Sequence, residues 1–304
     1  MPVMVQALMP VFVLILLGYL FRRWHFPGDD FWYQAERFTY YVLFPAMLIF
    51  KLGQARVAPS AYGDILVLIV AMLVTMAVLL GVMQWIWRWP GPVFSSVFQG
   101  GIRFNSYVAL AAAGMLLGDE GLSLIAIAVA VKVPLLNLLC ILMFSLVAGN
   151  GAVKFRPVFK AIVTNPLIIG SVIGVVWSYF RIGFHPLVAG ILEPLSDLAL
   201  PLGLMTVGAG LQLKALRGAS NPFLVSSAAK LVIFPLLTAG LALLLGLEGL
   251  MVQVAVLLAA LPTATSSYIL ARQLGGDAPL MAGIISGQTL LAMLTIPLLL
   301  GILW

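Results

Sequence analysis

Residues 103–112 read RFNSYVALAA and residues 262–271 read PTATSSYILA, and both lie inside long apolar stretches. Each places hydroxyls or an amide directly before a tyrosine: Asn105-Ser106-Tyr107 in the first, Ser266-Ser267-Tyr268 in the second. Polar groups in such surroundings are unfavourable unless they are hydrogen-bonded or carry a function. Two interruptions of the same form in one chain call for one explanation.

Of the 304 residues, 63% are hydrophobic and 9% are charged. A water-facing domain carries roughly 25% charged residues, so the solvent here is mostly lipid and an all-α integral membrane protein is expected. A net charge of +6 would point to nucleic acid in a soluble protein. Here the basic residues are scattered through short connections, the pattern that orients a membrane protein, and no nucleic-acid partner is expected. The one cysteine, Cys140, sits in an apolar run, and His25 and His185 are the only histidines. That argues against disulfides, a zinc or haem site, and a resident cofactor. Only Met1 and Pro2 precede the first apolar run, while Arg22 and Arg23 follow it. This flank fits an uncleaved span with its N-terminus outside, not a cleaved leader.

A spanning helix needs about 20 apolar residues. Ten such runs are present, at approximately 3–21, 32–51, 64–87, 93–117, 122–147, 165–182, 190–212, 222–246, 249–271 and 278–302. Turn formers separate them, as in Pro27-Gly28-Asp29-Asp30, Pro90-Gly91-Pro92, Gly118-Asp119-Glu120-Gly121 and Gly275-Gly276-Asp277. The longest polar piece, 149–163, divides a first five-span unit (1–148) from a second (164–304). It reads as a cytoplasmic linker with a short interfacial helix, setting Phe155, Val158 and Phe159 against Lys154, Arg156 and Lys160. With the N-terminus outside, the inner connections hold Arg22, Arg23, Arg88, Lys154, Arg156, Lys160, Lys214, Arg217 and Arg272, against Lys51, Arg56 and Arg181 outside. Both termini are therefore expected on the extracytoplasmic face of a plasma, or bacterial inner, membrane.

The halves repeat. A shift of 156 residues pairs Pro10 with Pro166, Gly18 with Gly174, Pro45 with Pro201 and Lys132 with Gln288. The two polar clusters match at a shift of 161. Two five-span units in tandem must lie upside down to each other, the inverted-repeat design of secondary transporters.

Helical rise of about 1.5 Å per residue places Asn105 about 18 Å, Ser266 about 24 Å and Pro262 about 18 Å from the starts of their spans. All fall near the middle of a hydrocarbon core roughly 30 Å thick. Pro262 lacks an N–H and disfavours helix at Leu261, so the ninth span is expected to break there. Gly100-Gly101 and Asn105-Ser106 give the fourth span a weaker break. Freed backbone at that depth is tolerable only beside a polar cavity or other protein. Two breaks meeting at the midplane aim helix N-termini at one point, where an anion is favoured. Asn105, Ser106, Tyr107, Pro262, Thr263, Thr265, Ser266, Ser267 and Tyr268 are thus the candidate substrate-binding residues. The alternative for each hydroxyl is a bond back to its own or a neighbouring helix.

Ionisable residues within spans point to function. Lys132, about 15 Å into the fifth span, either meets a carboxylate or offsets the negative C-terminal ends of the broken helices, with Gln288 its milder counterpart. Lys230 has the same ambiguity, tilted toward packing; Arg103, beside the first break, is expected to be structural or gating more than a ligand. Glu193 and Asp197, one turn apart, are candidates for a coupling proton or ordinary interfacial acids. No carboxylate is expected at the crossover itself, which disfavours a sodium cage there. GSVIG at 170–174 is a small-residue face, for packing within the monomer or across a dimer.

RFNSYVALA followed by GDEGL, LFPAMLIFKLG at 43–53, LPLGLMTVGAGL at 200–211 and AALPTATSSYILARQLGGD at 259–277 together resemble the auxin efflux carrier family. That family includes plant PIN-FORMED carriers and bacterial malate or malonate permeases. The similarity runs along the whole chain and is closer to the bacterial members, because the large cytosolic loop of many plant proteins is absent. The resemblance implies an elevator-type carrier with a scaffold of spans 1, 2, 6 and 7 and a transport domain of spans 3–5 and 8–10. It also implies a homodimer through the scaffold and a substrate held where broken spans 4 and 9 cross. The family's crossing asparagine maps to Asn105 and its second-repeat proline to Pro262. Many members have a proline in the first crossing too; VALAAAG here supplies none, so that break is expected to be softer.

The expected function is secondary transport of small organic anions, carboxylates such as malate or malonate, or auxin-like weak acids. A cation/proton exchanger or sodium symporter would need titrating carboxylates at the midplane. An intramembrane enzyme would need a catalytic or metal-ligand set at depth, and both histidines lie in connections. A sensor would need an output module.

Overall fold

The computed structural model describes residues 2–55, 59–147, 163–218 and 220–304. The linker residues 149–162, with their interfacial helix, Lys154, Arg156 and Lys160, lie outside the described residues, as do Arg56 and the side chain of Arg217. Among the described residues there are helices and turns and no strands.

The helices are α1 (Pro2–Arg23), α2 (Asp29–Phe38), α3 (Phe44–Gln54), α4 (Pro59–Trp87), α5 (Gly91–Ile102) and α6 (Ser106–Val147). The second half holds α7 (Pro166–Tyr179), α8 (Pro186–Ala209), α9 (Asn221–Ala228), α10 (Phe234–Leu244), α11 (Leu250–Ala260), α12 (Ser266–Leu274) and α13 (Ala278–Leu303). α2 runs into α3, and α9 into α10, through π-helical turns at Thr39–Leu43 and Ala229–Ile233. Each π turn is followed by Phe-Pro. The proline has no N–H for the α-helical ladder, and the widened turn accommodates the gap.

Among the described residues six helical stretches are long and apolar enough to cross a membrane, including Met4–Arg23, Gly63–Trp87 and Ala278–Leu303. Pro166–Tyr179 and Leu250–Ala260 are apolar but shorter. Side chains such as Val78, Leu187, Leu244 and Ile302 stand exposed on the outside of the bundle, as expected where the solvent is hydrocarbon. The long helix α6 bends sharply at Gly118, where φ is 65°. Only glycine takes that conformation without strain, and the bend falls where the GDEG turn is expected from the sequence.

Backbone contact draws four elements together. A Cβ on Gly18 of α1 would lie 1.9 Å from the Met205 carbonyl oxygen of α8, and one on Gly208 would lie 1.7 Å from the Ile15 carbonyl oxygen. A Cβ on Gly174 of α7 would lie 2.7 Å from the Leu48 carbonyl oxygen of α3, and one on Gly170 would lie 2.9 Å from Pro45 Cα. The GSVIG face is therefore used inside the monomer, against α3. The two contacts are also counterparts: the 156-residue shift that carries Gly18 to Gly174 carries Ile49, which touches Gly174, to Met205.

Candidate functional site

Two helices end in mid-bundle at one place. α5 stops at Ile102, and Arg103 is extended, with φ −73° and ψ 160°. α11 stops at Ala260, and Leu261 is likewise extended, with φ −68° and ψ 145°. The chain leaves helix over Arg103–Asn105 in the first and 261–265 in the second. There the backbones meet: the Asn105 N–H donates to the Pro262 carbonyl at 2.8 Å.

The first break is as complete as the second, though shorter, and it needs no proline. Asn105 does the work by capping the next helix. Its Oδ1 accepts from the Tyr107 N–H at 3.0 Å and the Val108 N–H at 3.3 Å, satisfying donors that a helix start leaves free. Its amide nitrogen keeps no partner among the described residues.

The carbonyl ends of the two stopped helices are met from the opposite half. Lys132 Nζ, fully buried on α6, donates to the Leu258 carbonyl in the last turn of α11 at 3.2 Å. It also sits 4.6 Å from the Phe104 ring centroid and 5.1 Å from that of Phe234. Gln288 on α13 donates to the Gly100 carbonyl in the last turn of α5 at 3.0 Å and accepts from the Thr263 N–H at 3.0 Å. Of the two roles open to Lys132 in the sequence, the contacts are those of dipole compensation. Lys230, also fully buried, lies 4.7 Å from the Phe234 ring centroid and has no hydrogen-bond partner among the described residues.

Beside the crossing lies a cavity of about 590 Å³. Arg103, Asn105, Ser106, Tyr107, Thr265 and Ser266 line it, so six of the residues singled out in the sequence come together. Arg103 bridges its walls: Nη1 donates to Asn137 Oδ1 at 3.1 Å and Nη2 to Ser266 Oγ at 3.2 Å. Tyr107 stacks on Phe44 of α3, with ring centroids 4.6 Å apart and planes within 3°.

The other candidates do not line the cavity. Pro262 contributes its carbonyl to the crossing. Thr263 and Ser267 are buried behind it, with their hydroxyls 3.3 Å apart. Ser267 follows Ser266 by one residue, and a helix turns consecutive side chains about 100° apart. Tyr268 packs with Met281 and Ile284 instead. Glu193 and Asp197 are exposed on α8, away from the cavity.

One expectation is overturned. A carboxyl group does stand at the crossover: Glu36 of α2 lines the cavity together with Thr265 and Ser266. It stands near the polar start of the apolar run at 32–51. Tyr40, Asn137 and Asn165 also line the cavity. Asn137 carried the same signal as Asn105, a lone amide within an apolar run. Asn165 doubles as the cap of α7, accepting from the Leu167 N–H at 2.9 Å.

Residues 153–300 match a family described as membrane transport protein. The chain is 24% identical over 299 residues, 96% of each chain, to an uncharacterized transporter of Methanothermobacter thermautotrophicus. It is 27% identical over 286 residues, 88% of this chain and 85% of the relative, to a protein of Rhizobium meliloti named "Putative malonate transporter". Residues 153–300 thus carry a domain similar to the auxin efflux carrier type of membrane transport protein, and the chain as a whole is similar to proteins named as transporters. It is a membrane transporter and not an enzyme.

Proposed function

We propose that the chain is a secondary carrier of small organic anions, with dicarboxylates such as malonate or malate as its first substrates. The observation that carries this reading is the meeting of two helix starts, at Ser106 and Ser266, on one cavity beside the Asn105–Pro262 crossing. A helix start carries partial positive charge even where, as at Tyr107 and Val108, its N–H groups are already bonded. Ser106, Ser266 and the free amide nitrogen of Asn105 add donors, and Arg103 adds a fixed cation. The name of the Rhizobium relative points to the same substrate class.

The reading extends to ten spans in two inverted halves. The counterpart contacts Gly18–Met205 and Gly174–Ile49 support it, as does the exchange of caps by Lys132 and Gln288. In this scheme α1–α3, α7 and α8 form the scaffold, a dimer forms through it, and the remaining helices slide past it with the crossover and substrate. Both termini lie outside, and the cavity, bordered by Arg37 and Gln273, faces the cytoplasm. Uptake of radiolabelled malonate, malate and indole-3-acetate into proteoliposomes tests the proposal. Saturable uptake of a carboxylate, abolished by Asn105→Ala, is the expected result; absence of carboxylate uptake alongside transport of amines or sodium overturns it.

A further inference from the structure

Glu36 places a carboxyl group in a cavity otherwise equipped for anions. Among the described residues the ion pairs are Arg22–Asp29, His25–Asp29 and Lys51–Asp119, so its carboxylate has none. The cations around it are already engaged. Arg22 of α1, whose charge acts on Glu36, donates to the Ala209 carbonyl at 2.9 Å and lies 3.7 Å from Asp29. Arg103 spans Asn137 and Ser266. Arg37, on the same helix, is exposed over the Tyr33 ring. From the other walls, Tyr40, Tyr107 and Thr265 face the cavity with neutral groups, and Glu193 and Asp197 of the neighbouring α8 are exposed elsewhere. Glu36 also faces a boundary: it sits on α2, while Thr265, which lines the same cavity, belongs to the crossover.

A substrate carboxylate entering this cavity meets a like charge with no salt bridge to offset it. Two carboxylates confined together do not both remain ionised without penalty; a proton shared into the pair relieves it. We propose that Glu36 is the proton site of the carrier, taking up a proton as the organic anion binds, so that the two cross the membrane together. The proton comes from water on the side to which the cavity opens and forms an O–H bond on the Glu36 carboxylate; as the crossover slides past the scaffold that bond breaks, the proton passes to the bound carboxylate, and it returns to water with the anion on the other side. Linkage makes the effect reciprocal: the anion favours protonation of Glu36 by the same factor as protonation favours the anion.

This inference rests on the carboxylate-carrier reading, and malonate counterflow at equal pH on both sides separates the two. In weakly buffered detergent solution, malonate binding to the wild-type protein draws roughly one proton from solution, read with a pH-indicator dye. Glu36→Gln draws none, and its malonate affinity loses the roughly tenfold weakening that the wild type shows as pH rises. Glu36→Asp restores proton uptake. In proteoliposomes an inward proton gradient accelerates malonate entry through the wild type and not through Glu36→Gln, and exchanging sodium for choline changes neither. Malonate counterflow without proton uptake by the wild type overturns the proposal while leaving the carrier reading in place, whatever the fold of the variants. Gradient-driven uptake retained by Glu36→Gln, or dependence on sodium in place of protons, overturns it equally. Absence of malonate and malate counterflow removes the carrier reading and this inference with it.

Discussion

The backbone N–H of Asn105 donates to the carbonyl of Pro262 at 2.8 Å, joining the two helix breaks at a single point. Asn105 holds three duties at once: its N–H makes the crossing, its side-chain oxygen starts α6, and its amide nitrogen remains as a donor.

Those duties can be separated. Asn105→Asp keeps a capping oxygen and should keep stability within about 0.5 kcal/mol, yet it replaces the free donor with negative charge. Malonate uptake should then fall below detection while the melting curve in detergent stays near wild type. Asn105→Ala loses both, with a further destabilisation of about 1 kcal/mol.

Lys132 should prove structural. Lys132→Met removes the cap on Leu258 and is expected to lower stability by about 1–3 kcal/mol, seen as a lower unfolding temperature in detergent. Because Lys132 does not line the cavity, the malonate Kd of the folded variant should change less than about threefold, or about 0.6 kcal/mol. A large loss of affinity with unchanged stability would reverse the assignment.

Arg103 needs its planar fork to reach both Asn137 and Ser266. A lysine ammonium is a single point charge and does not span two acceptors in this way. Arg103→Lys should therefore bind malonate about tenfold more weakly despite conserving charge, measurable by calorimetry.

The seam between Phe44 and Tyr107 should tolerate loss of the hydroxyl and not of the ring. Tyr107→Phe should transport as the wild type does. Tyr107→Ala forfeits a stacked pair worth about 0.5–1.5 kcal/mol beyond its burial, and liposomes bearing it should leak preloaded malonate faster.

Close packing gives a check on the fold itself. Gly18→Ala and Gly208→Ala each force a methyl group into a carbonyl of the facing helix, and each should cost about 1–3 kcal/mol in thermal unfolding. Gly81, with open space around it, should accept alanine without loss.

Much of this was legible in residue order. The NSY and SSY clusters, the shared 156-residue register and the depth of Lys132 and Gln288 follow from apolar runs and helical rise. Pro262 announces its own break because its chemistry is local. The break at Arg103–Asn105 is less audible, since it is held by Gln288 from α13 and by Pro262 from the other half. Which hydroxyl faces the cavity was also hidden: Ser266 and Ser267 are the same residue type, and only the azimuth of α12 separates them. Glu36 was overlooked because its role depends on α2 lining the same cavity as Thr265, more than two hundred residues away.

The exchange of caps has a consequence for biosynthesis. The break in the first half is completed by Gln288, and that in the second half by Lys132. As the chain leaves the ribosome, α5 and α6 enter the membrane with the Gly100 carbonyl unanswered until a helix made nearly two hundred residues later arrives. The first half therefore waits unfinished in the bilayer, and the crossover closes only when both halves are present.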